Sequence, residues 1–358
     1  MKTMLGPCLR RWQVNVLQSL ALDVANRCEG LPIAIVTVAK ALKGKKEQAW
    51  RTALLELQRP SLGNEGSVTA KTYACIRLSY NQLNSELKSI FLPCCTVGFT
   101  SDESVERLSR YGMGLNLFHT VRTMQEAWDK VITLVQELKN SSLLLEPFDD
   151  EQPPIHVHDV VRDVGRAIAI HDHNNYIVND DVILRDLIEK NTLKNCTSIV
   201  LYNISELPEE LDRQKLEFLY VKPKTRFSKI HDKFFKGMPN LGVVHLIEMV
   251  LSPLPASFHL LKKLRTLYLD GCHLGDTVDI GKMKNLKILV LSSKIKQLSE
   301  KIGELTRLKV LDLSHCNNLQ FIPPNTISRL TQLEELYMPN TFDQWQGEAS
   351  TSWSICLN

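Results

Sequence analysis

The sequence predicts an α + α/β solenoid, a helical N-terminal half followed by a stack of short parallel strands. Three observations carry this reading. From residue 196 onward the pattern LxxLxL returns six times, at intervals of 22 to 25 residues. Between residues 14 and 175 apolar residues instead recur three and four apart, the period of a helix with one buried face. The 358 residues are 44% hydrophobic and 23% charged, a composition that supports two or three packed cores and excludes collagen-like, disordered and disulfide-scaffold classes.

Taken in order, residues 14 to 58 read as two helices. Leu17, Leu20, Ala21, Val24, Ala25 and Cys28 fall on one helical face, Gly30 stops that helix, and Pro32 opens the next at the first-turn position proline tolerates. The apolar run Leu31 to Ala39 is about half a membrane span, so it reads as a buried helix. Val105 to Leu115 and Met124 to Leu138 repeat the three-and-four spacing, and SSLLLEP at Ser141 gives a short extended run. Ile155 to Val164, IHVHDVVRDV, brings His156 and His158 beside Asp159. Such a cluster could ligate a metal or move a proton, but no third ligand and no nucleophile motif lies at a sensible spacing. Val160, Val161, Val164, Ala167 and Ile168 continue as an apolar helical face. That places His158 at a helix N-terminus, where backbone donors and the dipole favour an anion.

The repeats are LEFLYV at Leu216, LGVVHL at Leu241, LRTLYL at Leu264, LKILVL at Leu286, LKVLDL at Leu308 and LEELYM at Leu333, with a degenerate copy from Cys196. This is the leucine-rich-repeat pattern, in which each turn supplies one strand whose leucines are buried only by stacking on the next turn. Cys272 and Cys316 fall at the repeat's asparagine-or-cysteine position and read as buried structural residues. Strand alternation turns the second and third leucines inward and their neighbours outward. The outward set is Phe218, Tyr220, His245, Ile247, Tyr268, Asp270, Val290, Asp312 and Tyr337. A row of exposed aromatics across successive strands has the character of a protein-binding surface, so Phe218, Tyr220, His245, Tyr268, Asp270, Asp312 and Tyr337 are its candidate contacts.

Charge and cysteine usage narrow the function classes. The net charge is +3, so no whole-molecule field argues for a nucleic-acid or membrane surface as partner. The first 60 residues hold 10 basic and 4 acidic side chains, and the cluster Lys40, Lys43, Lys45 and Lys46 fits a helix C-terminus complementing its dipole. Nine cysteines include no CxxC pair, which supports neither a disulfide framework nor a zinc site and fits a reducing compartment. Cys94 and Cys95 lie in an apolar helical stretch with no histidine placed beside them, so a cysteine enzyme has little support.

Three ordered motifs add a resemblance. Gly30, Leu31, Pro32, Ile33 and Ala34 resemble the GLPLA motif of plant disease-resistance proteins, the NB-ARC family with C-terminal leucine-rich repeats. Ile76 to Gly98, with Leu83, Leu87, Ile90, Phe91, Cys94 and Cys95, resembles the family's LSY-to-CFLYC region inside a winged-helix subdomain. Val157, His158 and Asp159 resemble its MHD motif, valine replacing methionine. The resemblance is to the coiled-coil type and implies a helical subdomain over 15–70, a winged-helix subdomain over 71–175 acting as a packing module, repeats over 196–345 and an irregular tail over 346–358.

The resemblance further implies a nucleotide-dependent switch using ADP or ATP. The proline of GLPLA packs on adenine and the histidine of MHD reaches a phosphate, roles that fall on Pro32 and His158, with Gly30 and Leu31 completing the cofactor-binding set and Asp159 holding the local geometry. No GxxxxGK[ST] is present, since Gly44-Lys45 and Gly281-Lys282 are followed by Lys46 and Met283. The expectation is therefore no enzyme activity, the strongest phosphate contacts lying upstream of a partial product or incomplete gene model. A cytoplasmic location and a pathogen effector or guarded host protein as partner of the repeats complete it. The competing class is a scaffold or regulator of a full-length receptor that binds no nucleotide.

Overall fold

A computed structural model of the chain describes residues 5–58, 70–99, 104–146, 155–226, 228–275, 280–340 and 354–357. It forms two compact units, one of residues 1–105 and 131–168, the other of residues 106–130 and 169–358.

The first unit is helical. The helices α1 (Leu5–Arg27), α2 (Pro32–Leu42) and α3 (Glu47–Gln58) occupy the stretch read as two. The extra break lies at the Lys-Gly-Lys-Lys turn, where Gly44 takes φ +72°, a left-handed angle that ends a helix cheaply only at glycine. Lys40 lies in the last turn of α2; Lys43, Lys45 and Lys46 line the turn itself. Next come α4 (Ala70–Asn81) and α5 (Ser85–Thr96), the latter capped by Asn84, whose side-chain Oδ1 accepts the Leu87 N–H at 2.8 Å. Val24, Cys28, Ala34, Val38, Leu42, Ala53, Leu57, Cys75 and Leu78 make one core shared by α1 through α4. Because α4 packs on α2 and α3, the first bundle does not end at residue 70. The chain continues through α6 (Ser104–Leu115) and α7 (Met124–Asn140), of which residues 106–130 belong to the second unit, and then α8 (Asp159–His173). Within the first unit Gly165 lets α8 approach Cys95 of α5 so closely that a Cβ would collide with the thiol, and Arg166 Nε donates to the Cys95 carbonyl at 3.1 Å. The extended run after Ser141 contributes one antiparallel bridge, Leu145 to His156.

The second unit is built on a parallel sheet. Its strands are β1 (Asn175–Val178), β2 (Ser198–Ile204), β3 (Phe218–Pro223), β4 (Ser228–Lys229), β5 (Val243–Ile247), β6 (Met249–Leu251), β7 (Thr266–Asp270), β8 (His273–Leu274), β9 (Ile288–Ser292), β10 (Val310–Asp312), β11 (Glu335–Met338) and β12 (Ser354–Leu357). Nine of them form the main sheet in the order β1-β2-β3-β5-β7-β9-β10-β11-β12, and β4-β6-β8 form a small second sheet. The short helix α9 (Asp181–Glu189) joins β1 to β2. In-register pairing sets Leu219, Val244, Leu267, Leu289, Leu311 and Leu336 in one row, all of them fully buried. That row is the stacking from which a solenoid draws its stability. Cys272 and Cys316 are buried as expected, and each thiol donates to a carbonyl of the preceding repeat, Leu246 at 3.4 Å and Leu291 at 3.1 Å.

Several expected boundaries shift. The sheet begins at residue 175 rather than 196, because β1 pairs in parallel with β2. Residues 106–130 belong to the repeat unit instead of a 71–175 segment, because Arg110 and Tyr111 pack on the parallel sheet. The tail expected to be irregular over 346–358 carries β12, which continues the sheet beside β11; the rest of that stretch lies outside the described residues.

Candidate functional site

Two sets of residues were singled out by sequence, and the structure treats them differently. The first set lies in the helical unit. Gly30 (φ +73°) and Glu29 (φ +53°) turn the chain out of α1, and Pro32 then starts α2 at its first position with its ring exposed. Leu31 is half-buried against the α1–α4 core.

His158 is the residue immediately before α8. Its Nδ1 accepts the backbone N–H of Val160 at 3.2 Å, which assigns the proton of the neutral ring to Nε2. A half-buried imidazole whose Nε2–H meets no acceptor among the described residues, at a helix N-terminus, is a donor suited to an anionic oxygen. Asp159 is exposed and bonds Arg162 at 2.6 Å, and Arg162 in turn donates to the Val157 carbonyl at 2.9 Å. These two bonds tie the three motif residues into one local turn. Among the described residues no hydrogen bond joins Pro32 or Gly30 to His158 or Asp159.

The second set lies on the repeat sheet, where the expectation of exposure needs correction. The side chains do point away from the leucine core, as alternation requires. Yet Phe218, Tyr220, His245 and Tyr268 are only 5%, 6%, 0% and 3% exposed. The cover is α6, which lies in the same unit and packs its aromatic and basic residues on this face. Tyr111 stands edge-on to Phe218 and Tyr268, with ring centroids 5.2 and 5.5 Å away. Its hydroxyl meets His245 Nδ1 at 2.5 Å, while His245 Nε2 meets Asp270 at 2.8 Å. With the Nε2–H donated to the carboxylate, Nδ1 accepts from the tyrosine, so the chain Tyr111–His245–Asp270 satisfies a buried neutral imidazole at both nitrogens.

Arg110, one residue earlier, is 3% exposed and donates to Asp312 at 3.0 Å. It also pairs with Glu106 and stands over the half-buried Tyr337 ring at 5.2 Å. Asp312 is itself buried and Asp270 half-buried, so all seven predicted surface residues have at least part of their surface covered.

The electrostatics follow from this burial. Desolvation pushes His245 below its ordinary value, with Asp270 opposing and Arg107 reinforcing. For Asp270 burial acts upward, but the His245 contact, Arg107 and His315 leave its carboxyl below the usual range. At Arg110 burial acts against the charge, and Tyr268, Glu106 and Asp312 more than offset it. Burial also raises Cys94 to about 12 and Cys95 further, so neither thiol has the depressed pKa of a reactive nucleophile.

Sequence reasoning placed α6 as an amphipathic helix but missed its role. A signal was present in Tyr111-Gly112-Met113-Gly114. At Gly114 a Cβ would lie 2.5 Å from both Thr266 Oγ1 and Val243 Cγ2. The bare backbone also leaves room for the Thr266 hydroxyl and Arg265 Nη1 each to donate, at 3.1 Å, to the carbonyls of Arg110 and Gly114. Among the described residues no helix is long and apolar enough to cross a membrane, and no group of three His, Cys, Asp or Glu could hold a metal.

Comparison with known proteins places this geometry in context. A leucine rich repeat family model matches residues 216–274. Disease resistance protein At4g27190 of Arabidopsis thaliana is 27% identical over 94% of this chain and 35% of its own length. Probable disease resistance protein At4g27220 of the same plant is 28% identical over 72% of this chain and 28% of its own length. Among solved structures, the plant peptide hormone receptor RGFR1 in complex with RGF2 matches with a TM-score of 0.29 and 16% identity, over 51% of this chain and 35% of that one, which is too low to bear on fold or function. The chain thus spans about a third of the length of the curated relatives it matches. It carries leucine-rich repeats, and its homologues over most of its length are Arabidopsis disease resistance proteins.

Proposed function

We propose that this chain is the switch-and-recognition portion of a plant intracellular immune receptor of the NB-ARC type. In this reading the helical unit supplies part of an ADP site and the repeats supply protein recognition. Residues 71–175 correspond to a winged-helix subdomain with residues 106–130 lent to the repeats. The single observation that carries the nucleotide part is the His158 ring, whose Nδ1 is engaged by the Val160 N–H and whose Nε2–H is left as donor at the head of α8.

The residues present fit part of a nucleoside diphosphate. Pro32 offers an exposed apolar ring beside the left-handed turn at Gly30, and His158 offers one charge-compatible donor. No GxxxxGK[ST] segment is present in these 358 residues, so a cradle for the phosphates and a magnesium ligand would come from outside them. The chain's own contribution is then binding and coupling, not hydrolysis. His158 would hold a phosphate oxygen, and the Asp159–Arg162–Val157 bonds would keep that imidazole in place. The cytoplasm is the compartment this reading assigns.

Titration of the purified chain with ADP tests it. Binding at micromolar to high-micromolar concentration, weakened about tenfold or more in His158→Ala, supports the switch; a tenfold loss is what one charge-assisted hydrogen bond of about 1.4 kcal/mol is worth. No binding at high-micromolar ADP would leave the chain as a repeat scaffold acting on a partner or on a full-length receptor. The burial of Phe218, Tyr220, His245 and Tyr268 under α6 bears on recognition as well. A protein partner would engage these strands only where α6 leaves them uncovered or after it has moved.

A further inference from the structure

Apart from the switch motifs, the helical unit holds a pair of facing thiols that its function does not use. Cys28 and Cys75 are 47 residues apart in sequence, yet their sulfurs lie 3.6 Å from each other in the α1–α4 core, the Cys75 thiol donating to Cys28. We infer that Cys28 and Cys75 are a redox modification site, joined reversibly into a disulfide that staples the end of α1 to α4.

The geometry favours this pair over the other described cysteines. A disulfide needs two Cβ vectors converging from separate segments, with the sulfurs about 2 Å apart when bonded. Here the two sulfurs already face each other, and closing the remaining gap falls on Cys28, the more yielding side. That residue sits one position beyond the last residue of α1, where its N–H bonds the Ala25 carbonyl (3.1 Å) and its thiol the Val24 carbonyl (3.4 Å), and the left-handed Glu29 and Gly30 follow it. Helix ends open locally at small cost, which gives an oxidant access to a sulfur that is buried on average. Cys94 and Cys95 are neighbours in one helix, closer along the backbone than an unstrained bridge allows. Cys272 and Cys316 each donate to a backbone carbonyl of the adjacent repeat rather than to a second thiol. The hydrogen bond from Cys75 lowers Cys28 and raises Cys75, which favours the thiolate on the sulfur at the end of α1.

With hydrogen peroxide as oxidant the chemistry closes in two steps. The Cys28 thiolate attacks the O–O bond, taking one oxygen as a sulfenic acid while hydroxide leaves and is protonated to water. The Cys75 sulfur then attacks the sulfenic sulfur, its proton leaves with the departing hydroxide as a second water, and the S–S bond forms. Two thiols are oxidised and one peroxide is reduced to two waters.

The test uses the intact chain. It is exposed to hydrogen peroxide under native conditions, alkylated, digested without reductant and analysed by mass spectrometry. The expected result is a Cys28–Cys75 cross-linked peptide at least tenfold more abundant than any other pair, lost on adding dithiothreitol, and accompanied by a rise in Tm. In Cys75→Ala the cross-link vanishes and Cys28 is captured as sulfenic acid by dimedone; Cys28→Ala is the companion variant should that protein fail to fold, and it should leave Cys75 unoxidised. Recovery of both residues as alkylated free thiols from folded, peroxide-treated protein would overturn the inference. So would a cross-link that appears only after urea is added.

Discussion

The two candidate sites differ in how much of the fold depends on them. Gly30, Pro32, His158 and Asp159 sit on turns at helix ends, partly or fully exposed, and among the described residues the hydrogen bonds around them are local, reaching no further than five residues along the chain. Phe218, Tyr220, His245 and Tyr268 are covered by a helix more than 100 residues earlier in sequence, through contacts such as Tyr111 to His245 with a separation of 134. A residue that serves a ligand can be removed with little loss of the folded state, whereas a residue that serves as the seat for a helix cannot. Stability measurements on matched variants therefore separate the two roles.

The largest effect is expected at Tyr111. Replacing it with alanine removes a fully buried ring and leaves the His245 Nδ1 without its donor, which should cost about 4 kcal/mol in urea unfolding of the repeat unit. A loss under about 1 kcal/mol would mean that α6 is not seated on the sheet as described. Next comes Arg110→Met, which strands Asp312 and Glu106 in a poorly solvated environment and should cost about 3 kcal/mol. Adding Asp312→Asn to that variant should recover part of the loss, since the orphaned charge is then gone. Strict additivity of the two changes would contradict a direct ion pair.

How far these features were legible in the sequence depends on the range of the interaction. The inward row from Leu219 to Leu336 was readable because each repeat carries its own LxxLxL, and strand alternation does the rest. The cap position of Cys272 and Cys316 was readable for the same reason. What lies over the outward face was not, because alternation tells where a side chain points and nothing about what meets it there. The aromatics at 218 and 268 have the pattern of a binding surface, and they do bind, but to Tyr111 of their own chain, while Tyr220 packs on Tyr202 and His245. Gly114 was the available clue, a glycine inside a helix with no turn to make, whose missing Cβ is filled by Thr266 and Val243. In the first half, the apolar period runs on across Gly44 and so hides the left-handed glycine that separates α2 from α3.

A pH titration sharpens the comparison further, because both sites hold a histidine. His245 is buried among Tyr111, Tyr220, Tyr268, Asp270 and the field of Arg107, and its folded pKa lies below the ordinary value of 6.5. The unfolded chain then binds the proton more readily than the folded one. Stability contributed here is complete above about pH 6.5 and falls as the pH drops below that value, until the folded pKa is passed. Protonation would also place a hydrogen on Nδ1, where the Tyr111 hydroxyl now donates. Thermal unfolding followed from pH 8 to pH 5 should show the repeat unit losing stability over this window, and His245→Phe should flatten the dependence. An unchanged slope in that variant would assign the acid sensitivity to other groups.

The smallest effect is expected at Pro32, and its smallness is the point. Pro32 is exposed, occupies the first position of α2 where no intrahelical N–H bond is lost, and has its ring clear of the α1–α4 core formed by Val24, Ala34, Val38 and Leu78. Pro32→Ala should therefore shift unfolding by no more than about 0.5 kcal/mol, mostly through the freedom it returns to the unfolded chain. If the proline serves the adenine, the same variant should weaken ADP binding while the unfolding midpoint stays put. A variant that instead lost about 2 kcal/mol of stability would show that the ring is a packing element, and the left-handed turn at Gly30 would then be explained by the helix junction alone.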